Sequence, residues 1–144
     1  MLADKPTTHY FVDTNIWLYA LIVNDDAQKH QIAAEIVQGG NVVVSTQVIN
    51  ETCVNLLRKA NLSETQLYDL IVSFYAKYEV IATEAQVLLR ASRLRAQYSL
   101  SFWDSLVVAG AIESGCNVLY TEDMQDGLIV AEQLTVVNPF RTLA

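Results

Sequence analysis

A chain of 144 residues that is 52% hydrophobic and carries a net charge of −7 has material for one domain with a sizeable core, and is too short for two ordinary ones. The mean hydropathy of +0.24 is high, yet no apolar run reaches the roughly eighteen residues that span a bilayer, and the stretch Met1 to Thr8, with Asp4 and Lys5, lacks the layout of a secretory signal. No membrane-spanning helix is therefore expected and the cytoplasm is the expected location, while a pI near 4.6 argues against broad phosphate binding through a basic surface.

In chain order, Tyr10-Phe11-Val12 reads as an apolar strand that stops on Asp13, and Asn15 to Leu21 as a short apolar helix around Trp17. Asn24-Asp25-Asp26 is a turn able to cap the next helix, in which Ala33, Ile36 and Val37 face inward. Gly39-Gly40-Asn41 stops that helix. Val42-Val43-Val44 is β-branched on both faces, the pattern of a strand inside a parallel sheet. Ser45 or Thr46 caps a helix with Ile49, Cys53, Leu56, Leu57 and Ala60 at helical spacing and Glu51 beside the stripe.

Asn61 to Glu64 breaks that helix, and from Ser63 another turns Leu67, Leu70, Ile71 and Phe74 inward. Glu79-Val80-Ile81 is a short strand. Thr83 is the expected cap of a helix to about Tyr98 with Val87, Leu88, Ala91 and Leu94 on one side and Arg90, Arg93 and Arg95 elsewhere. The helix Phe102 to Ser114 ends at Gly115, where a left-handed cap is favoured. Asn117 to Tyr120 is a strand, Thr121 to Gly127 an acidic loop, Gly127 to Glu132 a helical turn, and Val136-Val137 a last strand. Strands alternating with helices argue an α/β fold, one domain over residues 1–144, with a mainly parallel sheet of four to five strands flanked by helices.

Ligands of such sheets bind beyond the carboxyl ends of the strands, where Asp13 and the loop holding Thr121, Asp123 and Asp126 fall. Each acid has a local explanation when taken alone. Asp13 is placed to cap a helix, Glu51 to be a solvated helix carboxylate, Asp104 to complete a capping box begun at Ser101, and Asp123 and Asp126 to shape a turn. Together they are more informative. Carboxylates gathered at one edge without matching lysines or histidines repel one another unless a cation sits among them, and hard oxygen donors suit Mg²⁺ or Mn²⁺.

Taken in order, these residues resemble those of PIN-domain proteins, the metal-dependent ribonucleases that include the VapC-like toxins of toxin-antitoxin pairs. Asp13 in Phe-Val-Asp-Thr-Asn is similar to that family's first acid, Glu51 in Ile-Asn-Glu to the second, Asp104 in Phe-Trp-Asp to the third and Asp123 in Thr-Glu-Asp to the fourth. Asn15, Thr121 and the ending Val136 to Phe140 match as well. The resemblance covers nearly the whole chain. It implies a three-layer fold in which Asp13, Glu51, Asp104 and Asp123 hold one or two Mg²⁺ or Mn²⁺ ions for water attack on an RNA phosphate. Asn15, Thr121 and Asp126 would support them. It also implies a homodimer and a cognate antitoxin protein.

Arg90, Arg93 and Arg95 are candidate RNA contacts, with Arg58, Lys59 and Lys29 as weaker ones, although arginines near a helix end also serve its dipole. Cys53 and Cys116, far apart among apolar neighbours, read as buried reduced thiols, and His9 and His30 are isolated, so a soft-ligand metal site has little support. Two other readings compete. A catalytically silent interaction module would use the acidic pocket to receive a partner's arginine. A phosphohydrolase or receiver domain would use Asp13 as nucleophile, but Asn15 stands where haloacid-type phosphatases want a second aspartate.

Overall fold

A computed structural model describes residues 7–23 and 26–143; Asp4, Lys5 and the Asn24-Asp25 part of the expected turn lie outside them. Among the described residues six helices surround one six-stranded sheet. The strands are β1 (Tyr10–Val12), β2 (Val42–Ser45), β3 (Glu79–Ile81), β4 (Val118–Tyr120), β5 (Ile129–Val130) and β6 (Leu134–Val137). The helices are α1 (Thr14–Leu21), α2 (Ala27–Gln38), α3 (Thr46–Lys59), α4 (Glu64–Lys77), α5 (Ala85–Gln97) and α6 (Phe102–Glu113).

The strand order is β3-β2-β1-β4-β6-β5, and every pairing is parallel except that of β5 with β6. The chain therefore leaves central β1 in one direction to β2 and β3, then crosses back to β4 on its other side. Ligand crevices of open α/β sheets form at such a reversal. Register fixes the crevice: Val12 pairs with Tyr120 and Phe11 with Val43, so the residues that follow β1 and β4 emerge side by side.

Val42, Val43 and Val44 are all buried, as a strand covered on both faces must be. α6 is buried almost around its circumference from Ser105 to Ile112. A Cβ added at its Gly110 would meet the Phe11 ring at 3.6 Å and Ile81 Cδ1 at 3.7 Å. On the opposite side Trp17 is the largest buried side chain; its Nε1 donates to Val12 O at 3.1 Å, and the edges of Phe74 and Tyr78 close around it.

Most helix ends are as expected. Ser45, Ser63 and Ser101 cap α3, α4 and α6 with their hydroxyls, and Ser63 with Gln66 completes a capping box. Gly115 takes φ +78 while Cys116 N bonds Ala111 O and Gly115 N bonds Ile112 O, the paired hydrogen bonds of a Schellman end.

Three expectations are corrected. The N-cap of α5 is Glu84 and makes no side-chain bond there; Thr83 instead donates its N–H to Thr46 Oγ1 at 3.3 Å, so tertiary contact overrides the local cap. The segment expected as a helical turn is the hairpin β5-β6, turned through Ala131 and Glu132 at φ +53 and +55 with Gln133 N bonding Val130 O. Positive φ at both central positions is the type I′ geometry, and neither residue is one that favours it. Leu57 and Leu88, counted in apolar stripes, are exposed, and Cys53 is only partly buried.

Candidate functional site

Asp13 ends β1, and its carboxylate is 5% exposed. Both oxygens are occupied: Thr14 N–H donates to Oδ1 at 2.8 Å and the Thr121 hydroxyl to Oδ2 at 2.9 Å. Thr121, fully buried at the end of β4, also accepts from Asp123 N at 3.2 Å and from Asn15 Nδ2 at 3.3 Å. Asn15 Nδ2 donates to Asp123 Oδ2 at 2.9 Å, while its carbonyl oxygen accepts from Glu122 N at 3.2 Å. The β4 loop is thus bound to the first turn of α1 by one amide and one hydroxyl. This fixes Asp123 relative to Asp13.

Glu51 reaches the same edge from α3. Its Oε2 accepts the Thr14 hydroxyl at 2.9 Å and its Oε1 accepts Gln47 Nε2 at 3.2 Å. Asp104 sits in the first turn of α6, where its N–H is capped by Ser101 Oγ at 3.1 Å. Capping and participation at this edge are therefore not alternatives, since Asp13 and Asp104 each stand at a helix start that the cap itself aims.

Asp13 and Asp104 each sense neighbouring carboxylate charges. Burial pushes Asp13 up to about 6, opposed by the Thr14 N–H and the Thr121 hydroxyl and reinforced by the charges of Asp104 and Glu51. Asp104 is likewise raised, by burial first and then by Asp123 and Glu51, against the Ser101 hydroxyl. Among the described residues the ion pairs are Lys29 with Glu122, Arg90 with Glu113 and Arg141 with Asp126, so none neutralises these four acids. The donors are all hard oxygens, which fits Mg²⁺ or Mn²⁺. They are not a finished cage: among the described residues no three carboxylate, imidazole or thiol groups close on one point. Mg²⁺ takes one or two carboxylates and keeps waters, so an open arrangement is compatible with it.

Asp126 is engaged elsewhere. Its Oδ1 accepts from Asn138 N at 2.8 Å and its Oδ2 lies 3.6 Å from Arg141 Nε, at the exit of β6. Arg90 pairs with Glu113 of α6, Arg95 donates to Ser105 Oγ at 2.7 Å with its guanidinium over the Phe102 ring, and Arg93 is exposed. Lys29 binds Glu122 and the Tyr19 hydroxyl. Arg58 and Lys59 are exposed in the last turn of α3.

Sequence reasoning missed the Thr14 hydroxyl and Gln47. Gln47 stands one helical turn before Glu51, a visible signal; the link from Thr14 to Glu51 has none, because it joins residues 37 apart.

A family model described as PIN domain matches residues 10–125. No curated protein matches the chain. Among solved structures the chain is similar to a toxin-antitoxin complex from Klebsiella pneumoniae, with 17% identity over 90% of this chain and 97% of the other, at a TM-score of 0.67. It is similar to the Mycobacterium tuberculosis toxin VapC20, named as cleaving the sarcin-ricin loop, with 20% identity over 79% and 91% at 0.64. A third is VapBC2 from Rickettsia felis bound to a DNA fragment from its promoter, with 18% identity over 91% and 100% at 0.63.

Proposed function

From the premise that the chain belongs to the PIN-domain family, as the match over residues 10–125 shows, we propose that it is a metal-dependent endoribonuclease and the toxin of a toxin-antitoxin pair. The observation that carries this reading is the gathering of Asp13, Glu51, Asp104 and Asp123 at one sheet edge, with Asp13 buried and, among the described residues, no basic side chain paired to any of them. Such a charge arrangement is stable only with a cation or at the expense of fold stability.

These four side chains would hold Mg²⁺ or Mn²⁺, which when bound supplies Lewis-acid activation of water and charge neutralisation at a phosphodiester. The chain's own contribution is orientation. Thr14 holds Asp13 through its N–H and Glu51 through its hydroxyl, and Thr121 and Asn15 hold Asp13 and Asp123. Burial at Asp13 excludes water from the carboxylate's far side, which strengthens its attraction for a cation.

A cognate antitoxin and a homodimer belong to the same reading, and the likeness to toxin-antitoxin complexes supports the first. The apolar side chains exposed along α4, Tyr68, Val72 and Tyr75, offer surface for such contacts. The unpaired Cys53 and Cys116 accord with work in the reducing cytoplasm; among the described residues no helix is long and apolar enough to cross a membrane.

The test is cleavage of a panel of RNAs with Mg²⁺, with Mn²⁺ and with chelator, by the wild type and Asp13→Asn. Cleavage that needs the ion and falls at least about a hundredfold in the variant is expected, because the variant removes a charge from the ion's site. Equal cleavage by the variant, or none by the wild type together with no ion binding, would replace this reading by that of a silent interaction module.

A further inference from the structure

Beside the acids, the start of α6 presents two aromatic side chains to solvent. Phe102 is 56% and Trp103 61% exposed, in a chain whose other tryptophan is 2% exposed. The two rings meet edge to face with centroids 5.4 Å apart. Together with Gln47, Asn50 and Glu51 of α3, and with Leu88 and Leu106 on the apolar side, they line an open groove of about 660 Å³. Glu51 is thus shared between groove and carboxylate cluster, and Asp104 follows Trp103 directly in the chain. The groove also has a cation at its margin, because the Arg95 guanidinium lies 4.3 Å from the Phe102 centroid.

We propose that Phe102 and Trp103 form a stacking platform for an unpaired RNA base adjoining the phosphodiester to be cut, with Gln47 and Asn50 at the base edge and Arg95 toward the backbone. The choice of ligand rests on the nuclease reading given above. Every base has a π face, so exposed aromatic rings bind unpaired bases with little regard to sequence, and side-chain amides offer donors and acceptors for a base edge. Arg95 supplies the positive charge that a phosphate backbone needs on a chain of net charge −7. An apolar protein segment fits less well, because seating it would bury the Glu51 carboxylate, which is held by the Thr14 hydroxyl and the Gln47 amide but neutralised by no cation among the described residues. Bases within a duplex are already stacked on one another, so the platform selects single strands, loops or bulges.

The test reads binding by tryptophan fluorescence, not turnover. Trp103 is exposed and Trp17 buried, so quenching on titration with an unpaired twelve-nucleotide RNA reports on Trp103. Ca²⁺ replaces Mg²⁺ to neutralise the carboxylates. We expect quenching with the single strand and little with a duplex of the same composition. The variants lack the reporting tryptophan, so their affinity and that of the wild type are compared by fluorescence anisotropy of the same RNA carrying a 5′ fluorescein; it should fall about ten- to a hundredfold in Trp103→Ala, the range of a lost base–aromatic stack, and be largely retained in Trp103→Phe. Circular dichroism checks that the variants are folded, and sedimentation measures their mass. Equal affinity in Trp103→Ala, equal quenching by duplex, or a change of oligomeric state in Trp103→Ala overturns the platform, the last by making the groove a face between copies. Binding that follows this pattern without cleavage in Mg²⁺ would sink the nuclease reading and leave the platform standing; cleavage unaffected by Trp103→Ala would do the reverse.

Discussion

Asp13 carries the cost of the site. Its ordinary carboxyl value of 3.8 rises to about 6 in the folded chain, so between about pH 4 and pH 6 the folded state holds more protons than the unfolded one. Stability from this group is therefore full below pH 4 and is lost as the pH rises through 6, by roughly 3 kcal/mol. Asp13→Asn keeps an acceptor for the Thr14 N–H and has no charge to bury. In chelator at pH 7.5 the variant should be more stable than the wild type by on the order of 1 to 3 kcal/mol in urea unfolding, with the two converging near pH 4. Adding Mg²⁺ should raise the wild-type melting temperature and leave the variant unmoved. A wild type as stable as the variant in chelator at pH 7.5 would show that Asp13 is not buried as a bare charge. At this scale Asp13 was legible as a carboxylate after an apolar strand, whereas Glu51, Asp104 and Asp123 were legible only in combination, each having a local explanation when taken alone. Thr14 was legible only as the residue beside Asp13, because nothing local announces a hydroxyl that reaches α3.

The elements were legible where local chemistry and tertiary contact agree. Ser45, Ser63, Ser101 and Gly115 each do at a helix end what their residue type favours. Reading failed at Thr83, whose backbone is taken by Thr46, and at the β5-β6 hairpin, where Ala131 and Glu132 occupy left-handed positions without the asparagine and glycine that signal them. That hairpin exists because its strands pair, and its turn is strained. Replacing Ala131-Glu132 by Asn-Gly should raise thermal stability by roughly 1 to 2 kcal/mol with activity unchanged, since the relief is confined to the turn. A neutral or lower melting temperature would mean the turn is not of this type in solution.

For the whole molecule the question is how a chain of net charge −7 handles a polyanion. Among the described residues Arg90 and Lys29 are paired with glutamates and no ion pair joins a basic side chain to the four acids, while Arg95 stands beside Phe102 at the groove. RNA binding should therefore depend only shallowly on monovalent salt, with a log–log slope no steeper than about −2, and should strengthen as divalent ion is added. A slope near −5 in filter binding would reveal a broad basic contact surface that the described residues do not contain.

By itself the sequence determined the order of elements as far as β4 and the mainly parallel character of the sheet, since periodicity, capping chemistry and apolar strands are properties of neighbouring residues, and it singled out the acids by their order along the chain. Only the tertiary structure decided that β1 lies between β2 and β4, which brings Asp13 beside Thr121 across 108 positions, that Asp126 turns away to Arg141, and that Phe102 and Trp103 stand uncovered next to Glu51. Those outcomes depend on strand register and on the packing of helices distant in sequence, and no window of adjacent residues carries that information.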